Sequence, residues 1–114
     1  MLFRNDIKKI EKLAEKEKYQ KIIPFLQSKD KNTRIAAIKS FKNVDIPDIY
    51  NNLISMLNCT DSEERLAVIE ALSLTKESSA ITHLSHILNE EKDKKVITAI
   101  RNAIVNIRTH CEKI

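Results

Sequence analysis

Glycine is absent from all 114 residues of this chain, and proline occurs twice. Phosphate-cradling loops, primed hairpin turns and nucleophile elbows depend on backbone conformations that glycine adopts at little cost, so the chain lacks the material for each of them. An all-helical fold is the reading that survives. Aromatic residues make up 4 % and tryptophan is missing, which leaves no base-stacking platform and no aromatic cage for a cation. No stretch approaches the roughly 18 apolar residues of a membrane-spanning helix. The segment Met1-Leu2-Phe3-Arg4-Asn5-Asp6 has no apolar signal core followed by small residues, so export is not expected and a cytoplasmic location is. Cys59 and Cys111 stand apart with no CxxC spacing, which argues against zinc and against a disulfide framework. They read as reduced packing or surface thiols.

The length suits one domain with a real core, and the 32 % of charged residues suits exposed helix faces. The chain also repeats itself. A shift of 31 residues lays Arg34-Ile35-Ala36-Ala37-Ile38-Lys39-Ser40-Phe41 on Arg65-Leu66-Ala67-Val68-Ile69-Glu70-Ala71-Leu72, and a second shift reaches Val96-Ile97-Thr98-Ala99-Ile100-Arg101-Asn102-Ala103. Ile22, Leu53 and Leu84 align in the other half of the unit, as do Leu26, Leu57 and Leu88. Within a segment such as Tyr50, Leu53, Ile54, Leu57, the apolar spacing is the stripe of an amphipathic helix. Each unit is therefore two helices, A then B.

This pattern predicts A helices over 17–28, 48–58 and 79–89 and B helices over 32–43, 63–74 and 94–112. Residues 3–16, with Phe3, Ile7, Ile10, Leu13 and Ala14 on one face, behave as a lone B helix. The chain divides into a cap at 1–17 and repeats at about 18–46, 47–77 and 78–114. Pro24 inside the first A helix should bend it, whereas Pro47 stands just ahead of the second, where proline is favoured. Asp30 and Asp61 precede B helices and can cap their N-termini.

The string Asp30-xxx-Arg34-xx-Ala37-xxx-Phe41-xx-Val44-xx-Pro47-xxxxx-Leu53, echoed by Asp61-xxx-Arg65-xx-Val68-xxx-Leu72 and Leu84, resembles the short HEAT repeat of about 30 residues, a variety also found in phycobilisome lyase subunits. The resemblance covers about 19–108. It implies an α-α superhelix with Asp30, Arg34, Asp61 and Arg65 as a structural ladder, the acids capping B helices and the arginines bonding to the next repeat. It also implies that the B helices line a concave binding face. The outward positions would then be Asn32, Ala36, Lys39, Ser40 and Asn43; Glu63, Ala67, Glu70, Ala71 and Leu74; and Lys94, Thr98, Arg101, Asn102 and Val105. The usual glycine after helix B is absent, and in the third unit Lys92 replaces the aspartate and Val96 the arginine, as befits a terminal repeat.

Chemistry-bearing constellations are scarce. His83 and His86 lie three apart with Glu90 beyond them, but three held ligands and a supporting shell are not evident. His110 and Cys111 are adjacent on a helix and so point about 100° apart. No catalytic residue, metal or cofactor is expected, and an enzyme-complex subunit of lyase type rests on the repeat resemblance alone.

Charge is banded. Residues 1–31 hold nine basic and five acidic side chains, 32–62 three of each, 63–93 three and seven, and 94–114 five and one. A nucleic-acid reader gains from an unbroken basic track, which Glu63, Glu64, Glu70 and Glu77 interrupt. A protein or peptide partner is the expectation, held on the B face by Lys39, Asn43, Glu63, Glu70, Leu74, Lys94, Arg101 and Asn102. Nucleic acid on the basic end repeats, through Lys8, Lys9, Lys12, Lys39 and Arg101, is the alternative. The stripe Ile104, Ile107, Cys111 and Ile114 either packs on the third A helix or contacts another copy or another protein.

Overall fold

Acidic side chains start the helices of one layer. In a computed structural model that describes residues 2–42, 44–59 and 61–112, and side chains from Asn5 onward, Asp30 Oδ2 accepts the Thr33 amide at 2.9 Å and Asp61 Oδ1 accepts that of Glu64 at 2.9 Å. In the third unit the same task falls one residue later. Asp93 Oδ1 accepts the Lys95 amide at 2.9 Å, and the Asp93 carbonyl accepts the first helical bond, from Ile97. These caps open α2 (Lys31–Ser40), α4 (Ser62–Leu72) and α6 (Lys94–Glu112). The leading helix α1 spans Leu2–Glu15, while α3 (Pro47–Met56) and α5 (Ser79–Leu88) are the A helices of the later units. Pro47 stands at the start of α3, where its missing donor costs nothing.

The first A segment departs from expectation. Instead of one bent α-helix over 17–28, it forms two short 3-10 turns, Tyr19–Lys21 and Ile23–Gln27. Pro24 cannot donate to an i−4 carbonyl, and Ile22 and Phe25 close tighter bonds to Tyr19 and Ile22 at 2.9 Å. Ahead of it, α1 ends in a Schellman motif: Lys18 donates to the Leu13 carbonyl at 2.9 Å and Glu17 to that of Ala14 at 3.0 Å. Glu17 takes the left-handed position, with φ of 57°.

Two layers result. The B helices α1, α2, α4 and α6 pack each on the next, while the 3-10 segment lies on α2, α3 on α4 and α5 on α6. The core is written in the repeat register. Ile38, Ile69 and Ile100 are fully buried at equivalent positions, Ile10, Phe41, Leu72 and Ala103 form a second row, and Ile22, Leu53 and Leu84 a third. Each large aliphatic side chain in these rows contributes roughly 1.5–3 kcal/mol of burial. The chain is an α-α solenoid of extents 38 × 34 × 18 Å, and among the described residues no helix is long and apolar enough to cross a membrane.

The stripe on α6 is covered from within the chain. Ile104 and Ile107 are buried, and half-buried Cys111 points its Sγ at the Lys76 carbonyl, 3.2 Å away. Ile114 lies outside the described residues, as does the side chain of Phe3.

Candidate interaction surface

Along the edge where α2 and α4 begin, charged side chains are engaged in contacts between repeats. Arg34 grips the next repeat bidentately: Nε donates to Glu64 Oε2 at 2.9 Å and Nη2 to Glu64 Oε1 at 3.0 Å, while Nη1 bonds the Ser28 carbonyl at 2.8 Å. Arg65 repeats the arrangement. Its Nη1 donates at 3.0 Å to the Cys59 carbonyl, 31 residues after Ser28, and its Nη2 at 2.8 Å to Glu91 of the third repeat. Glu91 in turn accepts the amides of Lys92 and Asp93 on its other oxygen. The Glu64 and Glu91 side chains are only 6 % and 10 % exposed, so both rungs are sheltered and charge-assisted, the first a bidentate fork and the second a bond from Nη2 to Glu91 Oε1. A third tie joins Lys31 to Asp61 at 3.2 Å and to Glu63 at 2.9 Å.

These contacts set the local ionisation. The carboxylates of Glu63 and then Asp61 raise the Lys31 ammonium above its ordinary value. The Glu64 amide and the Lys31 ammonium hold Asp61 below its own. Glu64 pushes the Arg34 guanidinium further up, and burial, with Glu64 adding to it, raises the Cys59 thiol and so disfavours a thiolate.

The acceptors Glu64 and Glu91 carry no signal in the repeat. Positions 33, 64 and 95 hold Thr, Glu and Lys, and positions 29, 60 and 91 hold Lys, Thr and Glu. Thr33 instead is buried and turns its hydroxyl onto the Asp30 carboxylate at 2.9 Å.

The outer surface of the B layer is different in kind. Lys39, Glu70 and Arg101 stand on α2, α4 and α6 at intervals of 31 residues, all exposed, and none forms an ion pair among the described residues. Lys94 and Asn102 are likewise exposed on α6. Between α4 and α6 runs a groove of about 550 Å³ lined by Leu66, Glu70, Ser73, Lys94, Lys95, Thr98, Ala99, Asn102, Ala103 and Asn106.

Other residues expected on this surface sit elsewhere. Glu63 is exposed but engaged by Lys31. Leu74 lies beyond the end of α4, half-buried, in a cleft of about 180 Å³ with Phe41, Val44 and Tyr50. Ala67 and Ala71 are buried, because neighbouring B helices pack closely enough to cover their methyl groups. Asn43 lies outside the described residues. His83 and His86 are exposed on α5, and among the described residues no group of three or more His, Cys, Asp or Glu side chains is gathered for a metal ion.

A paired layer of helices in an unbroken 31-residue register, tied by arginines across repeats, agrees with comparison to known families: the model for HEAT repeats matches residues 19–104. The chain belongs to the HEAT-repeat family. No curated protein and no solved structure matches it. HEAT repeats generally mediate protein–protein interaction and are typically non-enzymatic scaffolds. In this HEAT-repeat chain Arg34, Arg65 and Asp61 tie repeat to repeat, and the exposed B-layer charges Lys39, Glu70 and Arg101 form no ion pair among the described residues.

Proposed function

We propose that this HEAT-repeat chain is a non-catalytic scaffold that holds a protein or peptide partner on the face formed by α2, α4 and α6. The observation that carries this reading is the division of its charges. Arg34–Glu64, Arg65–Glu91 and Lys31 with Asp61 and Glu63 are engaged between repeats, whereas Lys39, Glu70 and Arg101 form an exposed row of alternating sign with no ion pair among the described residues. Alternating charges orient a partner and repel mismatched ones more than they add raw affinity. The test is affinity capture from the native cell with the wild-type chain and with a Lys39→Glu/Arg101→Glu variant. A discrete partner retained by the first and lost by the second, at equal helicity and melting temperature, is the expected result. Equal capture by both removes this face from consideration.

Nucleic acid is the second reading, supported by Lys8, Lys9 and Lys12, exposed together on α1. Glu70 interrupts the basic row between Lys39 and Arg101, which weighs against a continuous phosphate track. Titration with duplex and single-stranded DNA at two salt concentrations decides it, and salt-insensitive or absent binding dismisses it.

A further inference from the structure

The groove between α4 and α6 is lined by both polar and apolar side chains, with Lys94 and Lys95 of one sign and Glu70 of the other. Leu66 supplies apolar surface, and Ala99 and Ala103 have little bulk, so a partner's main chain can approach α6 closely. Lys94 and Lys95 lie at one end and make no ion pair among the described residues. The nearest carboxylate in sequence, Asp93, is turned to the Lys95 amide. Glu70 stands further along the opposite wall, also without an ion pair. In the repeat register Glu70 is level with Arg101, six residues beyond Lys95 and seven beyond Lys94. At the rise of an α-helix the basic and acidic poles are therefore roughly 9–10 Å apart along the groove.

That separation selects an occupant. An extended chain advances about 3.3 Å per residue and covers the distance in about three residues. We propose that the groove takes an extended peptide segment bearing an acidic residue against Lys94 and Lys95 and, about three residues away, a basic residue against Glu70. Asn102, Asn106 and Thr98 on α6 offer amides and a hydroxyl to the backbone polar groups of such a strand, while the Ser73 hydroxyl is turned onto the Glu70 carbonyl. The inference rests on the scaffold reading above and narrows it to one groove and one partner chemistry.

The experiment uses the full chain and a synthetic library of short, end-blocked peptides carrying one acid and one base at every separation from adjacent to about two turns of helix. Peptides with the separation of about three residues should bind best, and Glu70→Lys should weaken them roughly tenfold while shifting selection to peptides with acids at both positions. Lys94→Glu with Lys95→Glu should shift it to bases at both. Circular dichroism and melting of each variant establish that the fold is kept. Selection indifferent to spacing, preferences that the charge swaps do not move, or a library that is not retained at all would each overturn the groove proposal. The two readings fail separately: if Lys39→Glu/Arg101→Glu abolishes partner capture while the groove variants capture normally, the B face stands and the groove does not.

Discussion

At Glu17 the backbone is left-handed, and a chain without glycine has put a side chain where Cβ crowds the following carbonyl. Two hydrogen bonds, from Glu17 to Ala14 and from Lys18 to Leu13, hold it there, and in doing so they satisfy carbonyls that the end of α1 would otherwise leave open. Replacing Glu17 by Gly removes the steric cost but loosens the unfolded chain, so the two effects oppose. The net expected is a gain of about 0.5–1 kcal/mol, because left-handed backbone costs a non-glycine residue roughly 1–2 kcal/mol. Urea unfolding of Glu17→Gly beside the wild type measures it. A loss of stability would mean that the Glu17 side chain contributes something beyond its backbone position.

For the elements, Asp61 is the most instructive residue, since one carboxylate starts α4 and also receives Lys31 from the preceding repeat. Its folded value is held below the ordinary 3.8, so its contribution to stability is complete above that value and is lost as pH falls through the lower, folded one. Lys31 is raised above 10.5 and contributes below that value, losing its share as pH rises through the higher, folded one. Neutral pH therefore sits inside the window of both. In Asp61→Asn, the fall in melting temperature below pH 4 should be shallower than in the wild type, with the capping geometry kept. An unchanged acid limb would assign acid sensitivity to other carboxylates. Most elements were legible from the 31-residue register, because Ile38, Ile69, Ile100 and their neighbours repeat the apolar stripe and the acids mark helix starts. The 3-10 segment was not: its apolar spacing at Tyr19, Ile22 and Leu26 is that of a helix, and only the local effect of Pro24 on hydrogen bonding turns it into two tight turns. The cap of α6 slipped by one residue, from position 92 to Asp93, because register alignment reads equivalence and not which neighbour carries the acid.

Across the described residues the main contacts between elements join neighbouring repeats, so the ties between neighbours govern cooperativity. Arg34→Met leaves the Glu64 carboxylate sheltered without its guanidinium and should cost about 2–4 kcal/mol, somewhat under the range for a fully buried pair because Arg34 keeps partial contact with water. Arg34→Met combined with Glu64→Leu should recover most of that loss, and the denaturant slope should stay constant if all repeats still unfold together. A double variant no better than the single one would place the value of Arg34 in its bond to Ser28 instead. The site was less legible than the fold for the same reason that this pair was hidden. Arg34 reaches 30 residues ahead and Arg65 reaches 26, so their acceptors fall at different register positions and no alignment of repeats marks them. The free charges on the B layer were legible as outward positions, but not that Glu63 would be taken by Lys31 or that Leu74 would fold into a cleft behind α4.

The unequal rungs also make the three units unequal as building blocks. The first offers an arginine but has Thr33 where a receiving glutamate would stand, and the third receives on Glu91 but has Val96 where an arginine would stand. Only the stretch 47–77 carries both halves, Glu64 to receive and Arg65 to give. A second copy of that stretch inserted after residue 77 would present its own glutamate to the original Arg65 at the spacing of Arg34 and Glu64, and its own arginine to Glu91. The middle repeat is thus the natural unit of duplication, the one piece by which this solenoid can be lengthened with every arginine rung kept, although the copied Asp61 and Glu63 would meet Ser62 in place of Lys31.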